Sequence, residues 1–227
     1  MISSFKQILN SIKSSNFVLD STITLDEYCA FDLSITNKSL NNFNITNPIE
    51  CQNYIDSVLE GQNAKIAWGG YLEKRDLYSN NKNFSQANSQ RNIHLGVDFW
   101  TKAGTKVIAP IRGKIHSFRN NSIKGDYGPT IILAHQFVET KFYTLYGHLS
   151  LESIESLRIG YVFEAGETIG TLGTPDINVN YAPHLHFQII LDMEGNRGDY
   201  PGVCSEETLE FYSKNCPNPN LLLQLPS

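Results

Sequence analysis

The chain has 227 residues, 41% hydrophobic and 18% charged, with 23 acidic side chains against 18 basic ones. That is enough apolar material for one substantial core, and the composition excludes global disorder. A formal charge of -5 argues against non-specific nucleic-acid binding and leaves no polybasic handle for an anionic membrane.

Met1 to Phe17 reads as a polar helix with Phe5, Ile8, Leu9 and Ile12 on one side. It offers no continuous apolar h-region and no small-residue cleavage site, so a Sec signal is not expected. The expected location is cytoplasmic, with the cell envelope reached only by another export route. No apolar run is long enough for a bilayer-spanning helix. Thr22-Ile23-Thr24-Leu25 is compatible with a short strand. Asn47-Pro48-Ile49-Glu50 predicts a helix start, with Asn as N-cap, Pro at the first helical position and Glu at N3. Ile55, Val58 and Leu59 then face inward, and Gly61 is the expected stop. Residues 1–70 are therefore read as an accessory segment and residues 71–227 as the main domain with a C-terminal tail. The accessory segment is too small for a core of its own and is expected to dock on that domain. Its path through Trp68-Gly69-Gly70-Tyr71 leads to the edge of the site described below, which it is expected to narrow. The Asn-, Ser- and Gln-rich stretch 79–92 predicts an exposed loop.

From 93 to 191 the period changes to two. Strands are predicted at 106–109, 114–118, 130–134, 141–145, 167–171 and 185–191, punctuated by Gly and Pro, which is the pattern of an antiparallel sheet or sandwich. Ala103-Gly104-Thr105-Lys106-Val107 with Gly113 echoes Ala165-Gly166-Glu167-Thr168-Ile169 with Gly173, suggesting two related hairpin units. A short helix is expected around Glu206–Tyr212, and Leu221, Leu222 and Leu223 need burial against the sheet. Cys29, Cys51, Cys204 and Cys216 are widely spaced without a CxxC, so they are read as reduced thiols.

Three short stretches carry the chemistry: His94-Leu95-Gly96-Val97-Asp98, Tyr146-Gly147-His148-Leu149 and His184-Leu185-His186. A catalytic zinc takes three protein ligands and keeps one position open. Five residues of the His and Asp type supply such a set plus two further imidazoles. In a straight strand His94 and Asp98 would stand about 13 Å apart, so the ligand reading requires a bend at Gly96. Mixed His and Asp donors suit Zn²⁺ better than Mg²⁺ or Ca²⁺. Period two puts His184 and His186 on one face, and the same logic groups Tyr146 with His148. His116 and His135 fit ordinary structural roles, with an orienting role for His135 as the alternative. No cysteine sits in a helix-start or Gly-rich context that would make it a nucleophile.

In these motifs, with Gly104-Thr-x-Val, Ala109-Pro110-x-x-Gly113 and Ala165 through Gly170, residues 91 to 191 resemble the lysostaphin-type (LytM-like) zinc metallopeptidases. The resemblance implies a mainly β domain of the duplicated hybrid motif type, with a groove over an antiparallel sheet. It also implies zinc held by His94, Asp98 and His186, with His148 and His184 as the catalytic pair and Tyr146 near the substrate. The tail segments 198–203 and 216–220 are similar to a branch whose peptidase-like modules are joined to kinase-like and aminotransferase domains, which points away from wall cleavage. The expected activity is hydrolysis of a peptide amide bond, with peptidoglycan peptides as one substrate class. The rivals are a zinc-containing binding or regulatory module without turnover, and a zinc hydrolase of a small amide or ester.

Overall fold

The computed structural model describes residues 2–12, 17–75, 85–86, 89–123 and 125–225. Most of the predicted loop at 79–92 lies outside the described residues. Five helices are present among those described: α1 (Ile2–Ser11), α2 (Pro48–Gln62), α3 (Glu152–Glu155), α4 (Leu209–Asn215) and α5 (Asn220–Leu223). The strands are β1 (Tyr28–Ala30), β2 (Ile66–Gly69), β3 (Ser85–Gln86), β4 (Ser89–Gln90), β5 (Ile93–His94), β6 (Val97–Trp100) and β7 (Lys106–Ile108). They continue with β8 (Gly113–Asn121), β9 (Gly128–Phe137), β10 (Thr140–Gly147), β11 (Val162–Phe163), β12 (Thr168–Thr171), β13 (His184–Ile190) and β14 (Val203–Cys204).

Eight strands form one sheet in the order β1-β2-β6-β13-β10-β9-β8-β11. Every pairing in it is antiparallel except β1 with β2. The six strands predicted between 93 and 191 are all present, because apolar alternation on β9, β10 and β13 feeds cores on both faces. Phe142, Tyr146, Leu185, Phe187 and Ile189 enter the larger core, while Tyr143, Leu145 and Ile190 enter a second one on the opposite face. The two echoed segments pair with each other as the small β7–β12 sheet. Gly104 and Gly166 occupy matching turns at φ +81° and +88°, a conformation that only glycine adopts without cost.

The first seventy residues share the sheet rather than forming a separate body. β1 and β2 extend its edge through the β2–β6 pairing. Phe31, Leu33, Cys51, Tyr54 and Ile55 build a third core against Trp100 and Ala182. Asn47 caps α2, accepting from the Ile49 and Glu50 backbone N–H groups. The helix runs past Gly61 and ends at Asn63, which takes the left-handed φ of +51°. The strand expected at 22–25 is replaced by a turn and a 3₁₀ helix at Leu25–Glu27, because Thr24 and Glu27 form a capping box. Leu222 and Leu223 are buried in the main core beside Phe5 and Leu9 of α1. All four cysteines are free and buried. Among the described residues no helix is long and apolar enough to cross a membrane.

Candidate metal centre and active site

His186 sits directly opposite Asp98 in the β13–β6 ladder, and His184 opposite Trp100. Cross-strand neighbours on one face stand close enough for their side chains to meet. His94 reaches the same point because the chain breaks its strand geometry at Leu95–Gly96 between β5 and β6. The required bend is present, and Gly96 has a further use. A Cβ there would lie 2.6 Å from the His186 ring carbon Cε1 and 2.8 Å from the Phe187 carbonyl, so any side chain would push His186 out of place.

The three groups converge tightly. His94 Nε2 is 2.9 Å from His186 Nδ1 and 3.2 Å from Asp98 Oδ1, and His186 Nδ1 is 3.0 Å from the same oxygen. The outward nitrogens decide the tautomers. His94 Nδ1 faces the Gly70 carbonyl at 2.9 Å, so it carries the proton. His186 Nε2 donates to Gln188 Oε1 at 2.9 Å, and the Gln188 amide is oriented by donating to the Pro201 carbonyl and to Cys216 Sγ. Each neutral ring therefore turns an unprotonated nitrogen toward Asp98 Oδ1. Three lone-pair atoms packed together in a buried site repel one another unless a cation sits among them. These are the metal-ligating groups that cluster among the described residues.

Arg75 completes the electrostatics. It is 1% exposed, donates through Nη1 to Asp98 Oδ2 at 2.6 Å and pairs with Glu73. Burial opposes ionisation of Asp98, but the Arg75 guanidinium bonded to it helps hold the carboxyl well below its usual range. Burial first, then the Arg75 charge, pushes His94 down to about 4. Asp98 is thus ionised and His94 neutral at pH 7, the protonation states in which each can bind a metal.

Beside it lie the other two histidines, their ring centroids 4.0 Å apart. His184 stacks on Trp100 and donates Nδ1–H to the Ala182 carbonyl at 2.7 Å. Burial lowers the proton affinity of both rings, for His148 well below the ordinary imidazole value and with help from His184 and His186. His94, Asp98, His148, His184 and His186 all line one cavity of about 410 Å³.

Tyr146 does not belong to this cavity. It is fully buried on the other face of the sheet, where its phenolic oxygen accepts from Thr144 Oγ1 and its ring meets Phe187. The expected sharing of a face with His148 fails because β10 ends at Gly147 and His148 takes a left-handed φ of +63°. The tyrosines that line the cavity are Tyr127, Tyr181 and Tyr200, with Tyr127 5.0 Å from His186 and 5.7 Å from His148 between centroids. His135 is equally remote from the metal-ligating groups, bonded to the Arg112 carbonyl and to Thr144. Arg75, Gln188 and Tyr127 were not singled out by the motifs: Arg75 and Tyr127 reach the site only through folding, while Gln188 follows His186 by two on the same strand face, a period-two signal that could have found it.

A family model described as peptidase family M23 matches residues 92–197. Residues 92–197 are thus similar to the metallopeptidases of that family. An uncharacterized metalloprotease of Haemophilus influenzae is 33% identical over 95 residues, covering 42% of this chain and 18% of the relative. The chain therefore matches about a fifth of that relative's length. Among solved structures, the catalytic domain of the antimicrobial peptidase lysostaphin from Staphylococcus simulans shares 27% identity at a TM-score of 0.37, covering 54% of this chain and 80% of that one. A zinc containing peptidase from Vibrio cholerae shares 25% identity at a TM-score of 0.33, covering 46% and 29% respectively. The matched span thus carries the cluster and both additional histidines, while Gly70, Arg75 and Pro201, which touch the site or its supporting residues, come from outside it.

Proposed function

We propose that this protein is a zinc-dependent hydrolase of peptide amide bonds, with His94, Asp98 and His186 as the zinc ligands. The observation that carries the reading is the convergence of two unprotonated imidazole nitrogens and one carboxylate oxygen at 2.9–3.2 Å from one another. Zinc bonds of about 2.0–2.1 Å in a tetrahedron imply donor–donor edges of about 3.3 Å, close to this spacing. The nitrogen-rich donor set favours zinc over magnesium or calcium. A zinc ion held there supplies Lewis acidity and a nucleophile usable at neutral pH.

The remaining work falls to the chain itself. His148 and His184 are neutral, and His184 holds its proton on Nδ1 against Ala182, leaving Nε2 as an acceptor. The pair takes the proton of the attacking water and delivers it to the leaving amine. Tyr127, beside His186 and His148, donates to the oxyanion that develops on the scissile carbonyl. Arg75 and Gln188 keep Asp98 and His186 oriented throughout.

The cavity favours a short substrate. Its volume lies within the range of small-ligand pockets, and Leu33, Ile45, Pro48 and Cys51 of the first seventy residues form part of its wall. Short peptides, including those released from peptidoglycan, fit this description better than an intact polymer, and a small amide metabolite is the second reading that the same wall supports. The test combines metal analysis of the purified protein with assays on fluorescence-quenched peptides, purified peptidoglycan and its peptide fragments. One zinc per chain with chelator-sensitive cleavage of the short peptides is expected. Full zinc with no turnover on any of them would favour a non-catalytic zinc module instead.

A further inference from the structure

The loop between β12 and β13 contains a fully buried asparagine that no sequence motif singled out. Asn178 is 0% exposed, and its side-chain oxygen has no hydrogen-bond partner. His148 Nδ1 is likewise buried and unpartnered. One is an acceptor and the other, in its Nδ1–H form, a donor, so each can supply what the other lacks. The other end of the amide is also committed, since Asn178 Nδ2 donates to the Ala182 carbonyl at 3.3 Å. That carbonyl is the same acceptor used by His184 Nδ1. One side chain therefore shares the support of His184 and carries a buried acceptor of the kind that His148 lacks.

The backbone is built to deliver it. The Asn178 N–H bonds to the Thr174 carbonyl, and the Tyr181 N–H to the Asn178 carbonyl. Ile177 and Asn178 pack so closely on Gly128 that a Cβ there would meet the Ile177 oxygen at 2.9 Å. Gly128 follows Tyr127, whose carbonyl accepts the His148 N–H. Val179, a β-branched residue, is held at φ +45° and Asn180 at +74°. Side chains of the valine type rarely adopt this conformation, and it persists where the surroundings impose it.

We infer that Asn178 is a positioning residue: its amide oxygen takes the Nδ1–H of His148 while its amide N–H shares the Ala182 carbonyl with His184, so both rings present Nε2 to the cavity. A neutral imidazole bonded in this way through Nδ1–H has its lone pair on Nε2, the atom a proton-transfer role needs. The kinetic consequence rests on the hydrolase reading above; the geometric one does not.

The experiment uses the zinc-loaded, ¹⁵N-labelled full chain, with imidazole nitrogen spectra recorded at one neutral pH. The His148 signals are assigned by their loss in His148→Gln. In the parent, His148 should show a single Nδ1–H tautomer. Asn178→Ala should give a mixture of tautomers with unchanged zinc content, and Asn178→Asp, which keeps an acceptor oxygen, should restore the single form. On any fluorescence-quenched peptide the parent cleaves, Asn178→Ala should lower kcat by about 10- to 100-fold with KM unchanged. A parent His148 protonated on Nε2, or an Asn178→Ala protein with the parent's tautomer, would overturn the inference. If Asn178→Ala does not fold, Asn178→Asp decides: a single Nδ1–H form supports the inference and a mixture refutes it. Because the spectra need no substrate, they test the positioning even if the parent cleaves nothing and the hydrolase reading fails.

Discussion

The two sides of the cavity are built on different principles. The floor is sheet-borne: the β6–β13 register puts Asp98 against His186, and buried hydrogen bonds donated to the Gly70 and Ala182 carbonyls and to Gln188 Oε1 lock the rings. The wall from the first seventy residues is apolar and held by packing, with Leu33 and Cys51 part of the core that docks α2 on the sheet edge. A hydrogen-bonded floor fixes atoms to within tenths of an ångström, which chemistry requires. A packed apolar wall sets only shape and volume. Loss of a floor residue should therefore abolish a step, whereas loss of a wall residue should shift a preference.

Five changes test that contrast. Asp98→Ala removes a ligand and leaves Arg75 without its buried partner carboxylate; zinc should fall to trace levels and hydrolysis to background, as read by metal analysis and peptide assay. Retention of full zinc would mean that the ligand set is wrong. His148→Ala and His184→Ala should each keep one zinc per chain yet lose about 10²-fold or more in kcat. Their pH profiles add a sign: both rings act unprotonated, and folding lowers their proton affinity. Activity of the parent should therefore persist as pH falls through about 6.5, the ordinary imidazole value, and the acid limb should lie below it. Gln188→Ala frees the His186 tautomer and should weaken zinc binding by about 10- to 100-fold in chelator competition. On the wall, Ile45→Ala should leave zinc and kcat intact and change KM by about fivefold at most, the size of a peripheral contact. A wall variant that lost zinc would dissolve the distinction between floor and wall.

What the sequence revealed follows the same division. His184-Leu185-His186 was readable because period two dictates a shared face on any strand. The bend at Gly96 was readable because two ligands four residues apart demand one. The start of α2 was plain in Asn47-Pro48, but its end was not, since Asn63 rather than Gly61 takes the left-handed cap. Tyr146 was misplaced because the period-two rule was carried one residue beyond the strand, past Gly147 into the turned backbone of His148. Gln188, two residues past His186 on the same strand, lay within reach of the period-two rule, whereas Arg75, Tyr127 and the wall residues depend on long-range contacts that no local pattern encodes. Their roles emerge only when strands distant in sequence are brought into register.

The central claim, a two-histidine, one-carboxylate zinc centre, is tested most directly by X-ray absorption of the stoichiometrically loaded protein. Two imidazole nitrogens at about 2.0–2.1 Å with the remaining ligands oxygen at about 2.0–2.2 Å is the result predicted. Cys51 lines the same cavity, so a sulfur shell near 2.3 Å would contradict the account, as would a third imidazole in the first shell.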